Sequence, residues 1–130
     1  MLDPEQLLAE LVSIPSPSGN EEAVSEWMAS QLKAASLPVQ RVGKNLVVDV
    51  VGGPGPTLMF ASHLDTVPAG LAWSSDPYAG IWKKDKLVGL GSNDAGACVV
   101  AICCAVECMA QKEFNGTLRL ALVVEEETSN

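Results

Sequence analysis

The chain is short of positive charge: eight Lys and Arg stand against sixteen Asp and Glu, for a formal net charge of -8 at pH 7. With no basic stripe to displace counterions from a phosphate backbone, nucleic acid is excluded as a partner. Long apolar runs are also missing. The longest, Ala95 to Val106, stops at Glu107 and falls short of the ~18 uninterrupted apolar residues of a bilayer span, so it predicts a buried helix and no membrane partner. Met1-Leu2-Asp3-Pro4-Glu5 lacks the positive segment that opens a secretory signal, which points to the cytoplasm. Cys98, Cys103, Cys104 and Cys108 all fall in that one predicted helix, with no Cys-x-x-Cys pair and no second cluster. A zinc knuckle and a disulfide framework are therefore disfavoured, and the four are expected to be small reduced core residues. The run Gly52-Gly53-Pro54-Gly55-Pro56 lacks the Gly-Lys-Ser/Thr ending of a phosphate loop and reads as a surface turn. No repeat, low-complexity tract or interdomain linker divides the chain.

What is present suits one domain with a real core: 130 residues, 48% hydrophobic, with a mean hydropathy of +0.21. Pro4 followed by Leu7, Leu8, Leu11 and Val12 predicts a short amphipathic helix ended by Ile14-Pro15. Asn20 is the expected N-cap of a second helix, with Glu21 and Glu22 in its first turn and Val24, Trp27, Met28, Gln31 and Leu32 on one face. Val39 to Val42 and Leu46 to Val51 flank Gly43-Lys44-Asn45 as a paired-strand unit. Thr57 to Ser62 has the continuous apolar character of a central strand, and the long segment from Asp65 to Tyr78 is irregular, as functional loops of that length commonly are. Trp82 and Leu87-Val88 suggest a short hairpin; the cysteine-bearing helix then runs to about Gln111, and Asn115-Gly116 turns the chain into a last strand, Thr117 to Val124. This order predicts an α/β fold, a three-layer α/β/α sandwich with a mixed sheet.

His63-Leu64-Asp65 follows the strand at 57–62 and places the only histidine two positions from a carboxylate at a strand end, where open α/β sheets put their chemistry. A neutral imidazole is a common metal ligand that uses an acidic neighbour to fix its ring and tautomer. Ligand-type side chains recur at the ends of later elements, at Asp94 in Gly91-Ser92-Asn93-Asp94 and at Glu125-Glu126-Glu127 after the last strand. In a parallel or mixed sheet these ends converge, so His63, Asp94 and Glu127 are expected to face one cavity.

Ser62-His63-Leu64-Asp65-Thr66-Val67-Pro68, Gly89-Leu90-Gly91-Ser92-Asn93-Asp94 and Glu126-Glu127-Thr128-Ser129 resemble, in that order, three N-terminal motifs of the M20 metallopeptidase family. The resemblance runs from Ser13 to the last residue. It implies the N-terminal part of a zinc-dependent exopeptidase-like catalytic domain, with residues 1–130 as a partial metal-binding unit. It implies two divalent metal ions, zinc first with cobalt or manganese as alternatives. His63 would be a ligand of one ion, Asp94 the bridging carboxylate and Glu127 a ligand of the second. Asp65 would orient His63, and Glu126 would be the general base. A register shifted by one, with Glu125 as base and Glu126 as ligand, is the alternative. A cis peptide would join Asp94 to Ala95. The implied substrate is an N-acyl amino acid, of the acetylornithine deacetylase type, or a short peptide. The alternatives are a di-/tripeptidase or carboxypeptidase of the same family, and a non-catalytic truncated α/β module. Two departures stand out. Ala95-Gly96-Ala97 is small where the family commonly has bulky and basic residues. The chain is also shorter than family enzymes, whose later segments bring a further acidic ligand, a second ligand histidine and a lid or dimerisation domain; the full-length form is expected to be homodimeric and the isolated chain inactive.

Overall fold

A computed structural model of the chain describes residues 1–128. Ser129, the last residue of the third motif, lies outside the described residues. Helix α1 spans Pro4–Val12, and Asp3 caps it, its Oδ1 accepting from the amides of Glu5 and Gln6 at 3.0 and 3.2 Å. Leu7, Leu11 and Val12 form its buried face. Helix α2 spans Glu22–Ala34 and buries Val24, Met28 and Leu32, four residues apart on one face. Its N-cap is Glu21, not the expected Asn20. The Glu21 carbonyl takes the Ser25 amide at 2.9 Å, while Asn20 is exposed one position outside the helix. The Glu21 side chain is too long to cap its own helix and is drawn inward to other amides.

Strands β1 (Val39–Val42) and β2 (Asn45–Gly53) form the predicted antiparallel pair. Strand β3 covers Thr57–His63, and β4 (Ile81–Lys83) with β5 (Lys86–Val88) makes the short hairpin expected around Trp82. A π-helical segment, Ser92–Ala97, leads into α3 (Cys98–Ala110), and β6 covers Gly116–Val123. The sheet runs β1-β2-β6-β3, with β2 antiparallel and β3 parallel to β6, which is the mixed α/β sheet the element order predicts. A parallel neighbour needs a long crossover, and here the chain from β3 to β6 supplies it through the hairpin and α3.

One apolar cluster joins the three helices to one face of this sheet: Leu46 and Val48 of β2 and Leu120 and Leu122 of β6 pack with Leu7, Leu11, Val24, Met28, Leu32, Val99, Cys103 and Val106. On the other face Val51, Met59, Ala61 and Arg119 are exposed. Strand β3 is an edge strand among the described residues, not the central strand expected, and Leu58 and Met59 are 56% and 57% exposed. An apolar run encodes a tendency to leave water; it does not encode how many strands flank it.

The regular part of the apolar helix, α3, is 13 residues long. At 1.5 Å per residue it reaches roughly 20 Å, well short of the ~30 Å of a hydrocarbon core. It buries Val99, Val100, Cys103 and Val106. Burial pushes the Cys103 thiol up to about 12, which suits an inert core residue, and also raises half-buried Cys104. Cys98 and Cys108 depart from the expected core role and are exposed, because a helix laid on a sheet turns only one face inward.

Candidate metal centre

Parallel pairing sets His63 opposite Val123, so the carboxyl ends of β3 and β6 stop side by side. Whatever follows each strand must emerge at that rim, and the chain continues as Leu64-Asp65 from one and Val124 to Glu127 from the other. The Leu64 amide donates to the Val123 carbonyl at 2.9 Å, which extends the pairing one step beyond β3.

Asp65 is almost fully buried, at 1% exposure, and is the hub of the rim. Its Oδ1 accepts from the Glu126 amide at 3.1 Å; its Oδ2 accepts from the Glu127 amide at 2.9 Å and from the Ser18 hydroxyl at 2.7 Å. Burial alone would raise the Asp65 pKa, but the Ser18 hydroxyl and the two amides outweigh it and hold the carboxyl below its ordinary value. Asp65 also touches the imidazole, mainly through its backbone: His63 Nδ1 is 3.0 Å from the Asp65 carbonyl oxygen and 3.5 Å from Oδ1. Since a carbonyl only accepts, Nδ1 carries the proton and Nε2 faces outward.

Around Nε2 the structure gathers carboxylates. Asp94 Oδ1 lies at 3.1 Å and Glu126 Oε2 at 3.9 Å. His63, Glu126 and Glu127 each offer a donor atom within 4.8 Å of the others. Burial lowers the His63 pKa, but the Asp65 carbonyl, the Asp94 carboxylate and the charges of Asp65 and Glu126 together hold it above its ordinary value. A proton on Nε2 therefore stands between carboxylates where a cation would stand, and the donor set of His63, Glu126 and Glu127, with Asp94 beside the same nitrogen, suits a divalent ion of the zinc type.

Asp94 reaches this rim because the chain before α3 is not regular helix. Asp94 and Ala95 have non-helical backbone angles and are joined by a cis peptide, as the resemblance implied. Gly91 has φ of 74°, and a Cβ there would meet Thr66 Cγ2; a Cβ on Gly96 would lie 2.7 Å from the Gly91 carbonyl oxygen. The small residues at 91 and 95–97 thus let this segment fold tightly against the loop after β3. Asp94 and Glu127 line one cavity of roughly 350 Å³ with Val67, Trp73, Leu90 and Asn93, so the irregular segment after Asp65 contributes a wall. Of the three residues expected to face one cavity, Asp94 and Glu127 line this one; His63 does not, and meets Asp94 through its Nε2 at 3.1 Å and Glu127 within the 4.8 Å group.

Glu125 points elsewhere: its Oε1 pairs with Lys44 Nζ at 2.7 Å, and its φ is 61°. Sequence reasoning missed three residues that hold the acidic turn. Ser18 binds Asp65, Asn45 Oδ1 accepts from the Val124 amide at 3.1 Å, and Glu21 Oε1 accepts from the amides of Gly19 at 2.7 Å and Glu125 at 3.1 Å. Partners separated by up to 104 positions leave no local pattern to read.

Comparison with known proteins bears on the family and the fold. The model of peptidase family M20/M25/M40 matches residues 59–130, more than half of the chain. A succinyl-diaminopimelate desuccinylase from Zymomonas mobilis is 35% identical over 133 residues, covering 96% of this chain and 35% of that protein. Another from a Sulfurovum species is 34% identical over 124 residues, covering 93% of this chain and 33% of that protein. The chain thus spans about a third of the length of the curated relatives it matches. Among solved structures, an M20 family metallo-carboxypeptidase from Sulfolobus solfataricus superposes with a TM-score of 0.86 at 18% identity, covering 98% of this chain and 32% of that one. A dinuclear metal-binding M20 peptidase from Bacillus subtilis superposes at 0.74 with 18% identity, covering 95% and 35%. Matched by the family model over the segment that carries all five candidate residues, this chain belongs to peptidase family M20/M25/M40.

Proposed function

We propose that the chain is the N-terminal part of a metal-dependent hydrolase that cleaves a linear amide, with an N-acyl amino acid as substrate. The observation that carries this reading is the grouping of His63, Glu126 and Glu127 donors within 4.8 Å, with Asp94 beside the same imidazole nitrogen. His63 and Asp94 would hold one divalent ion, Asp94 and Glu127 a second, with Asp94 as the shared carboxylate; zinc, cobalt and manganese are the candidates. Two ions bound there would polarise the amide carbonyl and make water acidic enough to lose a proton near neutrality. Glu126 would take that proton and return it to the leaving amine, since its carboxylate is exposed, 3.9 Å from His63 Nε2, and paired with no Lys or Arg among the described residues. Asp65 fixes the imidazole through its carbonyl and sets the direction of Glu126 and Glu127 through their amides. The Lys44 contact of Glu125 supports Glu126 and Glu127 as base and ligand over the register shifted by one.

The desuccinylases similar to this chain favour a succinyl group; the sequence resemblance favoured acetyl, as in acetylornithine deacetylase. Both acyl groups leave the same amide to the same residues. Four free cysteines fit a reducing compartment and support a cytoplasmic location within this reading. The test has two arms. Zinc or cobalt titrated calorimetrically into the chain should bind, and His63→Ala should weaken binding at least about tenfold. The protein extended to the length of its relatives should release free amine from N-succinyl or N-acetyl amino acids and lose that activity on chelation. No bound metal, or binding indifferent to His63→Ala, would remove the proposal.

A further inference from the structure

We propose that Glu21 is a positioning residue for the acidic turn, holding Glu126 and Glu127 toward His63 from a site outside the three motifs. The inference rests on the preceding reading, in which those two carboxylates serve the reaction. Glu21 is 2% exposed, and among the described residues no cationic side chain lies within ion-pair distance of it; Lys44 acts on it only through space, its own ion pair being with Glu125. A buried carboxylate is costly unless hydrogen bonds satisfy it. Here one oxygen takes two backbone amides, Gly19 at 2.7 Å and Glu125 at 3.1 Å. Bonds from amides to an ionised acceptor are roughly twice as strong as neutral ones.

The consequence lies in the backbone of Glu125. Its φ of 61° is in the left-handed region, which is unfavourable for a residue with a side chain unless the surroundings hold it. That conformation turns the chain so that the next two amides both point at Asp65. Four consecutive amides, from Val124 to Glu127, are thus taken by side chains of Asn45, Glu21 and Asp65. Glu21 holds the residue where the chain bends; without it Glu125 can relax, and Glu126 and Glu127 swing with it. Because Glu21 also holds Gly19, and Ser18 binds Asp65, the loop after α1 and the acidic turn are fastened as one unit.

Amide hydrogen exchange by NMR on the metal-free chain tests this, with zinc affinity and thermal midpoint measured on the same variants. Glu21→Gln preserves shape but removes the charge, and Glu21→Asp preserves charge but is one methylene too short to span both amides. Both are expected to speed exchange at Glu125, Glu126 and Glu127 at least about tenfold relative to core amides, and to weaken zinc binding about tenfold. Met28→Ala, a core control far along α2, should lower the thermal midpoint without that selective loss. Unchanged exchange at Glu126 and Glu127, acceleration spread evenly over the chain, or full zinc affinity with a loosened turn would each overturn the proposal. If the parent chain binds no zinc, the two-ion reading fails while the exchange result still decides the role of Glu21.

Discussion

Replacing Asp65 tests how the rim is built, because one buried carboxylate serves three donors. In Asp65→Asn the side chain keeps its volume, and its best orientation places the remaining oxygen at the Oδ2 position, retaining the Ser18 hydroxyl and the Glu127 amide. The new amide group then faces the Glu126 N-H, donor against donor. One bond is lost, one backbone donor is stranded in a buried place, and the two surviving bonds lose their charge assistance. A stranded donor costs about 1–3 kcal/mol, so the total is about 2–3 kcal/mol. Asp65→Ala strands all three donors and should cost about 3–5 kcal/mol, the range for breaking a buried polar network.

Urea unfolding followed by far-UV circular dichroism reads this directly. With a slope of roughly 2 kcal/mol/M for a domain of this size, Asp65→Asn should lower the midpoint by roughly 1–1.5 M at unchanged slope. The pH dependence fixes the sign. The folded Asp65 pKa is depressed, so its charge stabilises fully above the ordinary aspartate value near ~3.9, and that contribution disappears as pH falls through the folded value. The gap between parent and Asp65→Asn should therefore narrow below about pH 4. A midpoint within about 0.2 M of the parent at neutral pH, with the same slope, would refute the hub.

Thiol labelling should separate the four cysteines: exposed Cys98 and Cys108 should react with a disulfide reagent at neutral pH, and Cys103, buried with its thiol at about 12, only after unfolding. Rapid native labelling at Cys103, shown by peptide mapping, would contradict the packing of α3. Leu120→Ala, at the centre of the one core cluster, should cost about 2–5 kcal/mol in the same urea assay, and a loss under about 1 kcal/mol would mean that the cluster is not continuous. Because His63 is held above its ordinary pKa and binds metal only when Nε2 is unprotonated, apparent zinc affinity should rise about tenfold per pH unit until that proton is lost. Calorimetry showing a flat affinity between about pH 5.5 and 7.5 would count against His63 as a ligand.

The sequence was legible where function depends on a residue type at the end of an element. His63 ends, and the acids at 126 and 127 follow, strands that announce themselves by apolar character, and a parallel pairing brings the two ends together at the His63–Val123 register. Asp94 was legible as an acid at the end of an element and as the close of the second motif, whereas the lack of room for side chains at 91 and 96 beside it shows only in the folded chain. Contacts made by backbone groups were not legible. That Asp65 steadies the imidazole chiefly by its carbonyl, and spends its carboxylate on amides 61 and 62 positions away, leaves no trace in residue types. Asn20 illustrates the opposite error: its N-cap propensity was real, but the buried demand for a carboxylate at the acidic turn placed Glu21 at the helix start. Strand β3 read as central because its composition reports burial preference, while its neighbours depend on which chain segments pair with it.

The acids of the rim divide by burial, and the division explains how the site can be negative and still formed. Asp65 and Glu21 are buried and satisfied by hydroxyl or amide donors, so they hold the turn whether or not a cation is present. The side chains of Asp94 and Glu126 are 76% and 56% exposed, and among the described residues no Lys or Arg pairs with them or with Glu127. The nearest lysine of the turn, Lys44, is taken by Glu125. Three carboxylates therefore share one imidazole, and in a chain of net charge -8 their mutual repulsion has little nearby compensation. Under the proposed reading, repulsion that the scaffold resists would be stored as affinity for a divalent ion: a loose turn would let the carboxylates part, whereas one fixed by Asp65 and Glu21 would keep them together until a cation neutralised them. On that reading holding and binding would fall to different carboxylates, so a change at a buried acid should be felt as weaker metal binding and a change at an exposed one should leave the fold intact.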